Sequence, residues 1–250
     1  MSTDAPEAVV TTLPAPTVPS VAIAIPANGL VPMAFARDLA LLMTYMSINY
    51  PEIRIRLLIC EGTLVHEARH KLVRAALANE DVTHILWIDS DMRFPKDCII
   101  RMLNHQKPIV ATNYSTRKEP HIPTAGINHD DDLLFDSTEL EPLVRVERCG
   151  MGLMLVEANF FRAVQAPWFA VGFSPAADGY SGEDVYFCQL VARAGLDVVV
   201  DTQLSREISH IGSAEFQLDH CEITRQAFLL KHPEYLSPSK ISPKIILNGT

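Results

Sequence analysis

Residues 84–95, which read HILWIDSDMRFP, decide the fold of this 250-residue chain. The apolar run at 85–88 is continuous, as expected for a strand that is covered on both faces within a parallel sheet. Asp89 and Asp91 follow at its carboxyl end, where open α/β sheets bind their ligands. In an extended chain, residues two apart point to the same side, so the two carboxylates would share a divalent cation. Asp-Ser-Asp is also ordinary turn chemistry, and that alternative stays open.

Around this stretch, apolar runs that suit strands alternate with segments of helical periodicity. Strands are predicted at 21–25, 53–60, 85–88, 108–112, 149–156 and 198–200, and helices at about 33–48, 64–78, 95–104, 158–163, 184–194 and 214–231. The alternation predicts a mostly parallel, Rossmann-like sheet with helices on both faces, which is a three-layer α/β/α sandwich. Between 114 and 146 the pattern breaks, and the runs 133–135 and 143–146 predict an antiparallel hairpin at the edge of the sheet.

Composition and charge narrow the class of protein. The chain is 48% hydrophobic and 20% charged, as in globular domains, and its net charge of −9 does not favour nucleic acid or an anionic membrane. We expect a cytoplasmic protein, because no apolar run could span a bilayer, no signal peptide is evident and the five cysteines form no CxxC pair. Residues 1–18 are predicted to be a disordered tail, 19–235 one domain and 236–250 a C-terminal tail.

Two further polar features follow the paired acids along the chain. Glu183 and Asp184 open a predicted helix, whose N-terminal dipole stabilises negative charge. A carboxylate held there stays ionised near neutral pH and can accept a proton from a hydroxyl group, although acids also serve as ordinary helix caps. His210 lies just beyond the last predicted core strand, where it is either a metal ligand or a solvent-facing side chain.

The order of these features, an Asp-Ser-Asp motif, a Gly-Glu-Asp segment and a later histidine, resembles that of GT-A fold glycosyltransferases. The resemblance covers about residues 20–212 and is strongest to inverting, family-2-like enzymes, including those of the bacteriophage or prophage type. It implies that Asp89, Asp91 and His210 hold Mn²⁺ or Mg²⁺ against the donor diphosphate. It also implies Asp184 as the catalytic base.

The resemblance extends to residues that would contact the donor and the acceptor. Glu183 would position the acceptor or the donor. Arg69 would approach the diphosphate; the alternative for Arg69 is an exposed charge on a helix. The donor-contacting positions that it implies are Pro26, Ala27, Asn28, Arg69, Asp89, Ser90 and Gly152. Arg117 and Lys118 form either a second phosphate clamp or a solvated loop, and the aromatic residues Trp168, Phe173 and Tyr180 either a sugar-stacking wall or ordinary packing.

The activity that follows is sugar transfer, of the hexosyltransferase kind, from a UDP- or GDP-sugar to a hydroxyl group by a single displacement with inversion. The acceptor would be a saccharide or, in a phage setting, a modified DNA base, which the net negative charge does not favour.

Two other functions compete with this one. The segment His66-Glu67-Ala68-Arg69-His70 matches HExxH, in which two histidines four apart on a helix bind zinc and the glutamate acts as base. No glycine follows His70 at a spacing of three, and no third histidine follows at the metzincin spacing. The other alternative is a sugar-nucleotide-binding protein without catalysis.

Overall fold

The computed structural model describes residues 18–117, 119–128, 132–133, 141–174, 179–212, 215–217 and 219–231. The predicted tail at 1–18 lies outside the described residues except for Val18, and the predicted tail at 236–250 lies outside them entirely. The domain limits therefore stay a prediction.

The strands and helices alternate through most of the described chain. The strands are β1 (Ser20–Ala27), β2 (Arg54–Glu61), β3 (His84–Ile88), β4 (Met92–Arg93), β5 (Ile109–Ala111), β6 (Leu143–Val146), β7 (Leu153–Glu157), β8 (Gly172–Ser174), β9 (Gly179–Ser181), β10 (Val198–Asp201), β11 (Ser209–Ile211) and β12 (Glu215–Phe216). The helices are α1 (Met33–Asn49), α2 (Val65–Leu77), α3 (Cys98–Asn104), α4 (Ala158–Ala163), α5 (Glu183–Arg193), α6 (Thr202–Ser205) and α7 (Asp219–Lys231).

The main sheet of the described residues has seven strands in the order β2-β1-β3-β7-β5-β10-β6. β1 runs parallel to both of its neighbours, and β5 runs parallel to β10. β7 is antiparallel to β3 and β5, in the centre of the sheet, where the sequence analysis placed no reversed strand. The predicted antiparallel edge is present as β6, but its partner is β10, and residues 134–135 of the predicted hairpin lie outside the described residues.

Helices cover both faces of this sheet, so the three-layer α/β/α architecture is confirmed. One face packs against α2, α4 and α5, and the other packs against α1, α3 and α6. The side chains of β3 from Ile85 to Ile88 have no exposed surface, and burial of each large apolar side chain is worth about 2 kcal/mol. This buried strand therefore fixes the position of Asp89, the polar residue that directly follows it.

Two smaller pairings shape the carboxyl edge of the sheet. β11 pairs antiparallel with β4, with His210 opposite Met92, so His210 lies on a short strand. β8 and β9 form an antiparallel pair shortly before α5. Among the described helices, none has the length and hydrophobicity needed to cross a bilayer.

Candidate active site

The Asp-Ser-Asp segment is a turn and not a continuation of β3. The backbone N–H of Met92 donates to the carbonyl oxygen of Asp89 at 3.2 Å, and the N–H of Asp89 donates to the carbonyl oxygen of Gly152 at 3.0 Å. Because the chain turns here, the alternation of an extended strand does not apply and no longer supports the prediction that Asp89 and Asp91 share one side. The two carboxylates have different partners.

Asp89 belongs to a buried ion-pair cluster centred on Arg69. The guanidinium donates from Nη2 to Asp89 Oδ1 at 2.8 Å and from Nε to Glu183 Oε1 at 3.2 Å. Its Cζ lies 5.4 Å from the centre of the Trp87 ring. Burial works against the charged form, but the two carboxylates outweigh it and raise the pKa of Arg69 above its ordinary value.

This cluster bears on the predictions for Arg69 and Glu183. The Arg69 side chain is only 2% exposed, so it is not an exposed helix charge. The Glu183 carboxylate is paired with Arg69. Arg69 instead ties α2 to the end of β3 and to the start of α5. Burial raises the pKa of Asp89, while Arg69 opposes that shift.

Asp91 and His210 meet at the other end of the turn. Asp91 Oδ2 lies 3.4 Å from His210 Nε2, and His210 Nδ1 lies 3.3 Å from the carbonyl oxygen of Ser115. Because the Ser115 carbonyl oxygen and the Asp91 carboxylate both only accept, His210 donates to both when its ring carries two protons, and a neutral ring with its proton on Nδ1 offers the Nε2 lone pair to a cation. A metal-binding histidine is oriented in this way by its second nitrogen. Two acceptors this close require a proton or a cation between them.

A third charged group reaches the same carboxylate. Arg117 Nη1 lies 2.8 Å from Asp91 Oδ2 and donates to the carbonyl oxygen of Ile211 at 3.4 Å. Burial alone would raise the pKa of Asp91, but His210 and then Arg117 lower it, so the group is a carboxylate at neutral pH. Lys118, the other residue of the predicted clamp, lies outside the described residues.

The fit of a divalent cation rests on the Asp91 and His210 pair. Across the described residues, no group of three or more His, Cys, Asp or Glu side chains is arranged to hold a metal. The predicted set of Asp89, Asp91 and His210 is therefore not assembled, because Arg69 holds Asp89. Two protein ligands nevertheless suit Mg²⁺ or Mn²⁺, since such ions keep several waters and bind substrate phosphates.

Tyr114 and two glycines form the floor beside the turn. The Tyr114 hydroxyl accepts from the N–H of Gly152 at 2.8 Å, and its ring lies 5.5 Å from the ring of His210. A Cβ at Gly152 would lie 2.6 Å from the Tyr114 hydroxyl, and one at Gly150 would also collide with it. The glycines therefore let this tyrosine approach the backbone.

Replacing Gly152 with Ala is expected to destabilise the protein by about 1–3 kcal/mol, since Tyr114 is buried and cannot move aside freely. The added Cβ would also lie 2.9 Å from Met92 Sδ. Urea unfolding measures the loss. Gly62→Ala is the matched control, because no atom lies within 4 Å of its Cβ position, and it should change stability by less than about 0.5 kcal/mol. Equal effects of the two changes would contradict this account of Gly152.

Asp184 lies at the start of α5, next to Glu183, as predicted. Its Oδ1 accepts from the backbone N–H of Val185 at 2.8 Å, and within the described residues it forms no ion pair. Burial raises the pKa of Asp184, and the neighbouring Glu183 raises it further. A carboxylate with a raised pKa is a stronger base toward a hydroxyl group.

The end of β1 borders the place where the base and ribose were expected. Pro26 and Ala27 are buried within the strand, and only Asn28 is exposed. A shallow depression of about 180 Å³ is lined in part by Gly62. The Gly62 N–H donates to the carbonyl oxygen of Ala27, and this bond brings the depression next to Asn28. Its lining residues are Cys60, Glu61, Gly62, Thr63, Leu64, Glu67, Ala68 and Lys71. Ser90 lies in the turn between the two acids and is partly exposed.

The aromatic residues divide into two groups. The rings of Trp168 and Phe169 pack against His70, with centres 5.2 Å and 5.9 Å away, so Trp168 serves packing. Phe173 and Tyr180 face each other across the β8–β9 hairpin at 5.1 Å and are 53% and 77% exposed. The exposed pair stands immediately before the Glu-Asp segment.

The HExxH histidines are not arranged as a zinc site. His70 packs against the rings of Trp168 and Phe169. Its pKa is lowered, mainly by burial and to a smaller extent by the nearby Arg74 and His66. Neither histidine belongs to a group of three possible ligands in the described part of the chain.

Sequence reasoning missed Tyr114 and Ser115. Both are buried, and they lie three and four residues after Ala111, the last residue of β5. Their position at the carboxyl end of a sheet strand was the available signal.

Comparisons with known proteins agree with the architecture. No protein-family model matches the chain, and no curated protein matches its sequence. A197 from STIV has a similar structure, with a TM-score of 0.53 and 16% identity over 81% of this chain and 92% of that chain. At this identity the likeness shows the fold alone.

Two glycosyltransferase structures align more loosely. GalNAc-T7 with UDP, GalNAc and Mn²⁺ has a TM-score of 0.48 and 10% identity, over 78% of this chain and 43% of that chain. A Drosophila β1,4-galactosyltransferase 7 mutant with manganese, UDP-Gal and xylobiose has a TM-score of 0.44 and 14% identity, over 78% and 71%.

Proposed function

We propose that this protein is a metal-dependent glycosyltransferase that moves a sugar from a nucleoside-diphosphate donor to a hydroxyl acceptor, with inversion. The observation that supports the proposal best is the approach of Asp91 Oδ2 to His210 Nε2 at 3.4 Å, with the other ring nitrogen directed at Ser115. Asp91 and His210 would hold Mn²⁺ or Mg²⁺ together with donor phosphates. When bound, this ion would offset the negative charge that develops on the departing diphosphate.

The residues of the chain divide the remaining work. Asp184 would accept the proton of the acceptor hydroxyl, since it is a carboxylate without an ion-pair partner among the described residues and has a raised pKa. Arg69 would keep Glu183 and the end of β3 in place around it. The depression beside Asn28 would receive the base and ribose of a UDP- or GDP-sugar.

For the acceptor, we propose only a chemical class. The exposed rings of Phe173 and Tyr180 suit the apolar face of a saccharide, and they stand beside the start of α5. The net charge of −9 works against a modified base in duplex DNA. A saccharide acceptor is therefore favoured over DNA.

A thermal-shift screen of UDP, GDP and their sugars, each with and without Mn²⁺, tests the function. We expect one nucleotide to raise the melting temperature only when Mn²⁺ is present, because a ligand that binds the folded state stabilises it by mass action. Turnover of the matching sugar should then give a product of inverted anomeric configuration by NMR. A product with retained anomeric configuration would refute Asp184 as the base. Stoichiometric zinc that stays bound through purification and is lost in His66→Ala would favour the zinc hydrolase instead.

Catalysis itself needs a separate control, because a binding protein would also pass the thermal screen. Donor binding without turnover, left unchanged by Asp184→Asn, would indicate a sugar-nucleotide-binding protein without catalysis. No observation in the described residues favours that alternative over the enzyme.

A further inference from the structure

We propose that Arg117 is a stand-in for the divalent cation: its guanidinium occupies Asp91 in the free protein and must leave when the cation binds. This inference rests on the proposed function. Its starting point is that two groups approach one oxygen atom, since Asp91 Oδ2 lies 2.8 Å from Arg117 Nη1 and 3.4 Å from His210 Nε2. The lone pair of Nε2 and the carboxylate mark the position of the cation, and Arg117 contacts that same carboxylate oxygen.

The two cations exclude each other at this oxygen. A divalent ion bound to Asp91 Oδ2 would lie within a few ångströms of the guanidinium, where like charges repel. Arg117 also donates to the carbonyl oxygen of Ile211, the residue after His210. Binding of the cation therefore requires the arginine to move.

Only the side chain of Arg117 has to move, because the chain before it is anchored. Tyr114 and Ser115 are 5% and 0% exposed, and the Ser115 carbonyl oxygen faces Nδ1 of His210. The Arg117 side chain, in contrast, is 47% exposed and reaches Asp91 from the solvent side. Exposed ion pairs are weak, so this one can be exchanged without unfolding the site.

The consequence is an ordered loading of the site. In the absence of donor, the cation must compete with Arg117 for Asp91, so the free protein should bind it weakly. Once displaced, the guanidinium remains at the mouth of the site, where it can pair with a diphosphate. The cation and the donor would then bind together more readily than the cation alone.

Mn²⁺ titration followed by electron paramagnetic resonance tests the competition. Arg117→Gln removes the charge and keeps most of the side-chain volume, and it should bind Mn²⁺ alone about five- to tenfold more tightly than the wild type. Arg145→Gln is the matched control, since Arg145 is also an exposed arginine in an ion pair, at 2.7 Å from Asp197 on the edge strand. It should leave Mn²⁺ affinity within about twofold.

Chemical modification of the unaltered protein gives a second readout. Phenylglyoxal should modify Arg117 faster when Mn²⁺ is present, because the cation releases the guanidinium from Asp91; peptide mapping by mass spectrometry reports the site.

The outcomes separate the inference from the function on which it rests. If Arg117→Gln and wild type bind Mn²⁺ equally and modification is unchanged, Arg117 is not a stand-in, whereas the metal site stands. If Asp91→Asn binds Mn²⁺ as tightly as wild type, the proposed metal site is wrong and the inference falls with it.

Discussion

Asp184→Asn is expected to lower kcat for sugar transfer by about 10²–10⁴-fold, because it removes the group that accepts the acceptor proton. Donor binding should stay within about twofold, since the amide keeps the shape of the side chain and its acceptor oxygen for the Val185 N–H. Single-turnover transfer and donor titration measure the two quantities separately.

The pH profile provides an independent check on this role. The base must be deprotonated, so kcat should fall as the pH drops through the pKa of Asp184, which burial raises above its ordinary value. Asp197→Asn, at an exposed carboxylate that precedes β10 and pairs with Arg145, should leave kcat unchanged. If Asp184→Asn retained more than about a tenth of the wild-type kcat, the assignment would be wrong.

Arg69→Met should destabilise the fold by about 3–5 kcal/mol, which is the typical cost of leaving a buried charge without its partner. Methionine fills much of the same space, but Asp89 and Glu183 would then face each other without the guanidinium that both contact. Urea or guanidinium unfolding measures the loss, and a change of less than about 1 kcal/mol would contradict the cluster.

The origin of that loss can be separated from packing. Adding Asp89→Asn and Glu183→Gln to Arg69→Met should recover part of the stability, because neutral amides no longer repel each other. Arg54→Met is the matched control: Arg54 also contacts a carboxylate, Asp81 at 3.0 Å, but its side chain is 71% exposed. It should cost no more than about 1 kcal/mol.

Much of the fold could be predicted from the sequence because each element carries a local signal. β3 contains a continuous apolar run, and α2 shows helical periodicity. The alternation of such strands and helices along the chain suffices to predict an α/β sandwich. The reversed central strand β7 could not be predicted in the same way. Its apolar run is the same for either direction, and its direction depends on pairing with β3 and β5, which are distant in sequence.

The candidate site shows the same division between local and long-range information. The Asp-Ser-Asp motif and His210 predicted a site at the carboxyl ends of the strands, and Asp91 and His210 do approach each other there. The capture of Asp89 by Arg69 could not be predicted, because it depends on how deeply α2 packs against β3. Whether a charged helix residue is buried is a tertiary property, and the residue type alone favours exposure.

The central claim is that one divalent cation is held jointly by Asp91 and His210. A crystal structure of the protein with Mn²⁺ and the nucleoside diphosphate selected by the thermal screen, with the metal located by anomalous scattering, tests it most directly. We expect a single peak about 2.1 Å from Asp91 Oδ2 and His210 Nε2, with diphosphate oxygens completing the shell and Arg117 displaced. A peak bound elsewhere, or one that lacks either side chain, would contradict the account.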